Sequence, residues 1–272
     1  HEPAARLSGD RITSVKVLIK LGGTLLDDAS KRAGMAKQLA AIAKNVELVV
    51  VHGGGKQVTQ FLAERGIESR FIGGLRVSDS AVIDAVSKVI AGSVNKQLVA
   101  AIAAAGQPAV GLSGVDGALT TATQLHADLQ FVGRPERTDA TLFRLLLGAG
   151  YLPVVACIAG DPAGNIYNVN ADQMAVSCAL GWHADKLLFL TDVAGVQDEA
   201  GQVVPRLTPT SARQLVSTGV AHGGMQAKLE AALSSLEGGL AEVIVAPGQQ
   251  AGICQRLLDG ESLGTRLAVE AV

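Results

Sequence analysis

Aromatic residues are scarce: Phe, Trp and Tyr together make up 3% of the 272 residues. The core must therefore be built from Val, Leu, Ile and Ala, as in strands buried on both faces of a parallel sheet. Cysteine is scarce too. Cys157, Cys178 and Cys254 stand far apart with no paired spacing. That argues against disulfides or a cysteine zinc site, and for buried apolar roles in a reducing compartment. No strong charge of either sign accumulates. The formal net charge of −2 argues against a nucleic-acid-binding surface and against a polybasic membrane anchor. No credible membrane span is present, the uncharged stretch Leu145–Gly160 being broken by Gly148, Gly150 and Pro153. His1 to Thr13 is polar and lacks the apolar core of a signal peptide. Residues 1–14 read as a disordered or expression-derived segment, and the expected setting is cytoplasmic.

Two standard nucleotide loops are missing as well. Gly54-Gly55-Lys56 superficially suggests a P-loop, but its first glycine is absent and Gln57 stands where a hydroxyl should meet magnesium. No strand exit carries the G-x-G-x-x-G spacing of a dinucleotide site. His126, His183 and His222 form no metal-ligand spacing, so no protein-held metal is expected.

What is present is an apolar body, 48% hydrophobic with mean hydropathy +0.32. Its length fits one large α/β domain or two lobes sharing a sheet. The stretch Val17 to Gly23 organises it: β-branched strand residues, then Lys20, then two glycines. A lysine in a buried strand is costly unless an anion meets it, and paired glycines let backbone approach that anion. The rival reading is a snorkelling edge lysine before an ordinary turn. Ala29 to Lys44 reads as a helix and Val46 to Val51 as a second buried strand, followed by Gly53-Gly54-Gly55 and a helix over Lys56 to Arg65. In a parallel sheet both strand exits lie on the ligand-binding side. Ser69 to Leu75 reads as a loop or short hairpin. Ser78 is the expected cap of a helical region over Ala81 to Ala105, divided at Gly92. Arg76 can offer a planar fork to a carboxylate. Ala118 to Gly133 suggests projecting β-hairpins, and Leu152 to Ile158 and Lys186 to Leu190 read as further strands. Asn168, Asn170 and Asp172 crowd a helix start. No linker or repeat divides the chain.

Several segments match one family in order and spacing. IKLGG at Ile19–Gly23, VHGGG at Val51–Gly55 and GLRVSD at Gly74–Asp79 resemble the amino-acid kinase family. So do GLSGVDG at Gly111–Gly117, NVNAD at Asn168–Asp172, TDVAGV at Thr191–Val196, GGMQAK at Gly223–Lys228 and LGTRL at Leu263–Leu267. The resemblance runs from Val15 onward and is greatest to members that act on N-acetyl-L-glutamate. It implies an α/β fold, an open, mainly parallel αβα sandwich of the carbamate kinase-like type. Residues 15–272 would form one domain, with a lobe of about 15–160 for the acyl amino acid and one of about 161–272 for ATP. The implied reaction, a step toward arginine, moves the γ-phosphoryl of MgATP to the side-chain carboxylate of N-acetyl-L-glutamate. Magnesium would be held mainly by phosphates and water.

Carried over residue by residue, the resemblance makes Lys20 the holder of the transferring phosphoryl. Lys228 steadies the leaving group, and Asp172 fixes both ammonium groups. Gly22, Gly23 and Gly54 would donate N–H groups along the phosphoryl path. Gly55, Arg76 and Asn168 would bind the acyl amino acid, with Asn170 close by. Asp192 and Val220, Ala221 and His222 would border the nucleotide. His52 is left unassigned to catalysis, and Asn95 reads equally as a packing residue. Ala227 stands where many relatives carry proline, and the short polar start implies a homodimer without arginine feedback. Two alternatives stay open: a kinase of the same fold for an aminoadipate-type substrate, and a silent nucleotide-sensing relative.

Overall fold

The computed structural model describes residues 14–269; the expected N-terminal segment, but for its last residue, lies outside them. The chain opens with β1 (Lys16–Leu21), a 3₁₀ turn (Gly23–Leu26) and α1 (Ala29–Ile42), capped by the Asp28 carboxylate. β2 (Glu47–His52) and α2 (Gly55–Ala63) repeat the unit. A small hairpin, β3 (Phe71–Ile72) and β4 (Leu75–Arg76), turns on Gly73 and Gly74, both at positive φ where glycine fits best.

α3 (Ser80–Val86), a π-wound stretch (Ser87–Val94) and α4 (Asn95–Ala104) then run on as one helix. Two expectations fail here. The cap is Asp79, whose carboxylate accepts from the Val82 N–H at 2.9 Å, while Ser78 turns its hydroxyl to the Arg76 carbonyl. Gly92 does not divide the helix; the chain widens into π-winding around it instead, a form that recurs at functional sites.

β5 (Ala109–Ser113), β6 (Thr120–Gln124), β7 (Val132–Thr138), α5 (Thr141–Gly148), β8 (Leu152–Ala156), β9 (Ile158–Gly160), β10 (Ile166–Val169) and α6 (Ala171–Trp182) follow. The last third holds β11 (Lys186–Thr191), β12 (Arg206–Leu207), α7 (Pro209–Ser217), α8 (Gly223–Glu237), β13 (Glu242–Pro247), α9 (Ile253–Leu258) and β14 (Thr265–Ala268).

The main sheet runs β12-β14-β13-β11-β1-β2-β8-β5, and every neighbouring pair is parallel except β13 with β14. Successive residues of β1, β2 and β11 are buried, so helices cover both faces, as the aromatic-poor composition requires. The expected mainly parallel sandwich is thus observed. The expected projecting hairpins take another form: β6 and β7 pair antiparallel and close with β9 and β10 into a small four-stranded barrel.

β1 lies at the centre, between β2, which follows it, and β11, which belongs to the last third. Strand order reverses there, and in open α/β sheets ligands bind at the carboxyl ends beside such a reversal. Lys20 is the penultimate residue of β1, opposite Val51 on one side and Phe189 on the other.

Candidate active site

Lys20, Asp172 and Lys228 come from three distant parts of the chain and meet at that crevice. Lys20 Nζ lies 2.7 Å from Asp172 Oδ1, and Lys228 Nζ donates to Oδ2 at 3.3 Å. Lys20 and Asp172 are both buried. Asp172 is fixed by its helix: the Asn170 side-chain oxygen caps α6 by accepting from the Asp172 N–H at 2.9 Å and the Gln173 N–H at 3.2 Å. Asn170 therefore acts on the carboxylate's position, and the amino end of α6 favours negative charge there.

Burial alone would raise the Asp172 pKa, but Lys20 and Lys228 outweigh it and hold the carboxyl below the usual carboxylate range. The Lys20 contact lacks hydrogen-bond alignment, and Oδ1 is left without a hydrogen-bond partner. Two ammonium groups against one carboxylate leave one positive charge in excess. An unneutralised charge in a buried setting is costly, so the cluster favours a bound anion.

Of the glycines, Gly22 departs from its expected role. Its N–H donates to the Leu190 carbonyl at 2.9 Å, and a Cβ there would lie 3.2 Å from that same oxygen. Gly22 thus serves close packing of β1 on β11, and its amide is not free for a phosphate. Gly23 opens the 3₁₀ turn and Gly54 precedes α2.

Arg76 and Asn168 form a second group. The Arg76 guanidinium donates to the Gly55 carbonyl at 2.9 Å, to Thr59 Oγ1 at 2.7 Å and to Ser69 Oγ, and it lies 4.7 Å from the centre of the Phe71 ring. It ties the β3–β4 hairpin to the start of α2. Asn168 donates to Ser78 Oγ at 3.2 Å, and Ser78 passes the bond on to the Arg76 carbonyl. Arg76, Gly55 and Asn168 are thereby linked through hydrogen bonds. Sequence reasoning missed the links themselves, Thr59, Ser69 and Ser78, because single hydroxyls carry no spacing signal.

Asp192 directly follows β11, exposed, with the Thr191 hydroxyl donating to its carboxylate at 3.1 Å. Val220 to His222 lead into α8, where His222 is the N-cap residue but makes no side-chain capping bond. Lys228 thus sits inside α8, which begins at Gly223. His52 is wholly buried and meets the Gly53 carbonyl and the Asn95 amide. Cys157, just past β8, is close enough to Lys20 and Asp172 to feel both charges, a neighbour the sequence did not disclose. All three cysteines are buried and unpaired. Among the described residues no three His, Cys, Asp or Glu side chains gather as a metal-binding group, and no helix is long and apolar enough to cross a membrane.

The amino acid kinase family profile matches residues 15–247. An acetylglutamate kinase from Solibacter usitatus is 55% identical over 254 residues, spanning 93% of this chain and 99% of that protein. Among solved structures, N-acetylglutamate synthase from Neisseria gonorrhoeae, complexed with coenzyme A and N-acetyl-glutamate, superposes with a TM-score of 0.84 at 25% identity. That match covers 95% of this chain, which spans only 60% of the synthase. Carbamate kinase from Giardia shares the fold, with a TM-score of 0.72 at 15% identity over 95% of this chain and all of that one.

Proposed function

We propose that this chain, which belongs to the amino acid kinase family, is an acetylglutamate kinase acting in arginine biosynthesis. It would transfer the γ-phosphoryl group of ATP to the side-chain carboxylate of N-acetyl-L-glutamate. The observation that carries the chemistry is the Lys20–Asp172–Lys228 cluster at the sheet's reversal point, with Lys20 and Asp172 buried, Lys228 half-buried and one positive charge in excess. The choice of acceptor rests on the relative at 55% identity.

The carboxylate nucleophile is already ionised at neutral pH, so no general base is needed. The task is to bring two anions together and stabilise charge on the transferring oxygens. An acceptor oxygen–phosphorus bond forms as the β–γ bridge bond breaks and ADP leaves. Lys20 meets the transferring phosphoryl, Lys228 the charge growing on the bridge oxygen, and Asp172 keeps the two ammonium groups aimed.

Magnesium is expected to arrive with ATP and to be held mainly by phosphates and water. Asp172 fits that reading because both its oxygens face lysines and not an open metal position. Arg76, Gly55, Asn168 and Gly54 are assigned to the acyl amino acid, and Gly23, Asp192 and Val220 to His222 to the nucleotide. The lobes of about 15–160 and 161–272 would hold the two substrates, within a cytoplasmic homodimer.

A coupled ADP-release assay with MgATP tests this. Turnover is expected with N-acetyl-L-glutamate and not with N-acetyl-aminoadipate or L-aspartate. Turnover on a control moves the substrate assignment, and nucleotide binding without turnover on any of them overturns the enzyme reading.

A further inference from the structure

His52 ends β2, directly before the glycine loop, yet it faces away from solvent altogether. Its Nδ1 lies 2.8 Å from the Gly53 carbonyl and its Nε2 lies 3.0 Å from the Asn95 side-chain amide. A carbonyl can only accept and an amide N–H₂ can only donate, so the ring is neutral with its proton on Nδ1. Asn95 is held in turn. Its amide also donates to the Val154 carbonyl of β8 at 3.0 Å, and its oxygen accepts from Lys96 Nζ at 3.1 Å. Gly111 of β5 makes room for it, since a Cβ there would fall 1.8 Å from Asn95 Oδ1.

The π-wound stretch bears on the same loop. Asn95 is the residue right after it, and a Cβ on Gly54 would lie 3.3 Å from Ile90 and 3.4 Å from Val94. A Cβ on Gly53 would lie 3.3 Å from that of Ala171, which precedes Asp172. The loop is thus clamped between the π-turn and the start of α6. No peptide in the described chain is cis. In a trans peptide C=O and N–H point opposite ways, so holding the Gly53 carbonyl toward His52 turns the Gly54 N–H away from it.

We infer that His52 and Asn95 are positioning residues for phosphoryl transfer, setting the Gly53–Gly54 peptide plane so that the glycine loop presents its amide to the reacting groups. This rests on the kinase reading above. Neither side chain touches substrate; each acts through the loop.

Two substitutions separate the ring's nitrogens. Asparagine places an N–H about where Nδ1–H stands, while glutamine reaches only to the place of Nε2. His52→Asn is therefore expected to keep kcat within about threefold, and His52→Gln to lose on the order of 10²-fold, the usual effect of a misplacement near 1 Å. Asn95→Leu removes the donor that selects the tautomer and is expected to lower kcat about tenfold, a second test should His52→Gln not fold. Thermal melts accompany each assay, and rates are taken per folded molecule. Equal losses in the two His52 variants, or unchanged kcat with only a lowered Tm, overturn the inference. Wild-type protein that turns over none of the acceptors overturns the functional reading, and this inference with it.

Discussion

A single carboxylate holding two ammonium groups makes Asp172 the residue on which the candidate chemistry depends, and each partner should answer separately to substitution. Lys20→Ala and Lys228→Ala are each expected to cut kcat by roughly 10²–10³, about 3–4 kcal/mol, in the coupled assay. Near-normal turnover of either would remove that lysine from the mechanism. A different titration governs stability. Burial pushes the His52 pKa down from 6.5 to about 4, against the bond to Gly53. Below pH 6.5 the unfolded chain takes up a proton that the folded chain refuses until about pH 4. Stability from this residue is therefore complete above 6.5 and falls by about 3 kcal/mol as pH drops to 4. Urea unfolding between pH 7 and 4.5 should show that slope in the wild type and lose about one proton's worth of it in His52→Asn; parallel curves would exclude His52 as its source. The thiols should be silent. Burial raises Cys157 to about 11 and Cys178 and Cys254 to about 12, so an aromatic disulfide reagent at pH 8 should label none in the folded chain and three after unfolding.

The helices aim these residues, and α6 does so through its cap. Asn170→Ala removes the acceptor for two backbone N–H groups and should cost about 1 kcal/mol, with Tm falling by roughly 2–4 °C. Because the same bond holds Asp172, kcat should fall more than stability alone explains; an unchanged kcat would confine Asn170 to capping. The strands were legible at this scale because β1, β2, β8 and β11 are buried on both faces, so each is a largely apolar run, interrupted in β1 by Lys20. Where neighbours compete, the pattern gives no decision. Ser78 and Asp79 are both good caps, and the side-chain geometry that selects Asp79 appears only in three dimensions. Residue propensities do not separate α- from π-winding, hence the misplaced break at Gly92. The β6–β7–β9–β10 barrel rests on pairings such as β7 with β10, between segments separated by α5 and β8, which local alternation cannot reveal. The lysines and Asp172 stood out as charges in apolar surroundings. The Gly22 amide did not, because a carbonyl on the distant β11 takes its bond.

Across the whole molecule one sheet joins residues of both expected lobes, with β1, β2, β8 and β5 on one side and β11, β13, β14 and β12 on the other. Strands this closely paired do not part easily, so the two substrates should bind to opposite sides of one body and not to independently folding halves. That makes ligand linkage a test of the assignment. A ligand at 100 times its Kd stabilises the state that binds it by about 2.7 kcal/mol. MgATP alone and N-acetyl-L-glutamate alone should each raise Tm, and both should sharpen one common transition. Lys228 belongs to α8, on the side proposed for the nucleotide, and Arg76 to the hairpin tied to α2, on the side proposed for the acyl amino acid. Lys228→Ala should therefore shrink the shift with MgATP and leave the shift with N-acetyl-L-glutamate near the wild-type value. Arg76→Lys, which keeps the charge but not the planar fork, should do the reverse. Two separate melting steps would argue for independent lobes. Equal loss of both shifts in either variant would argue against the division of binding residues between the two sides.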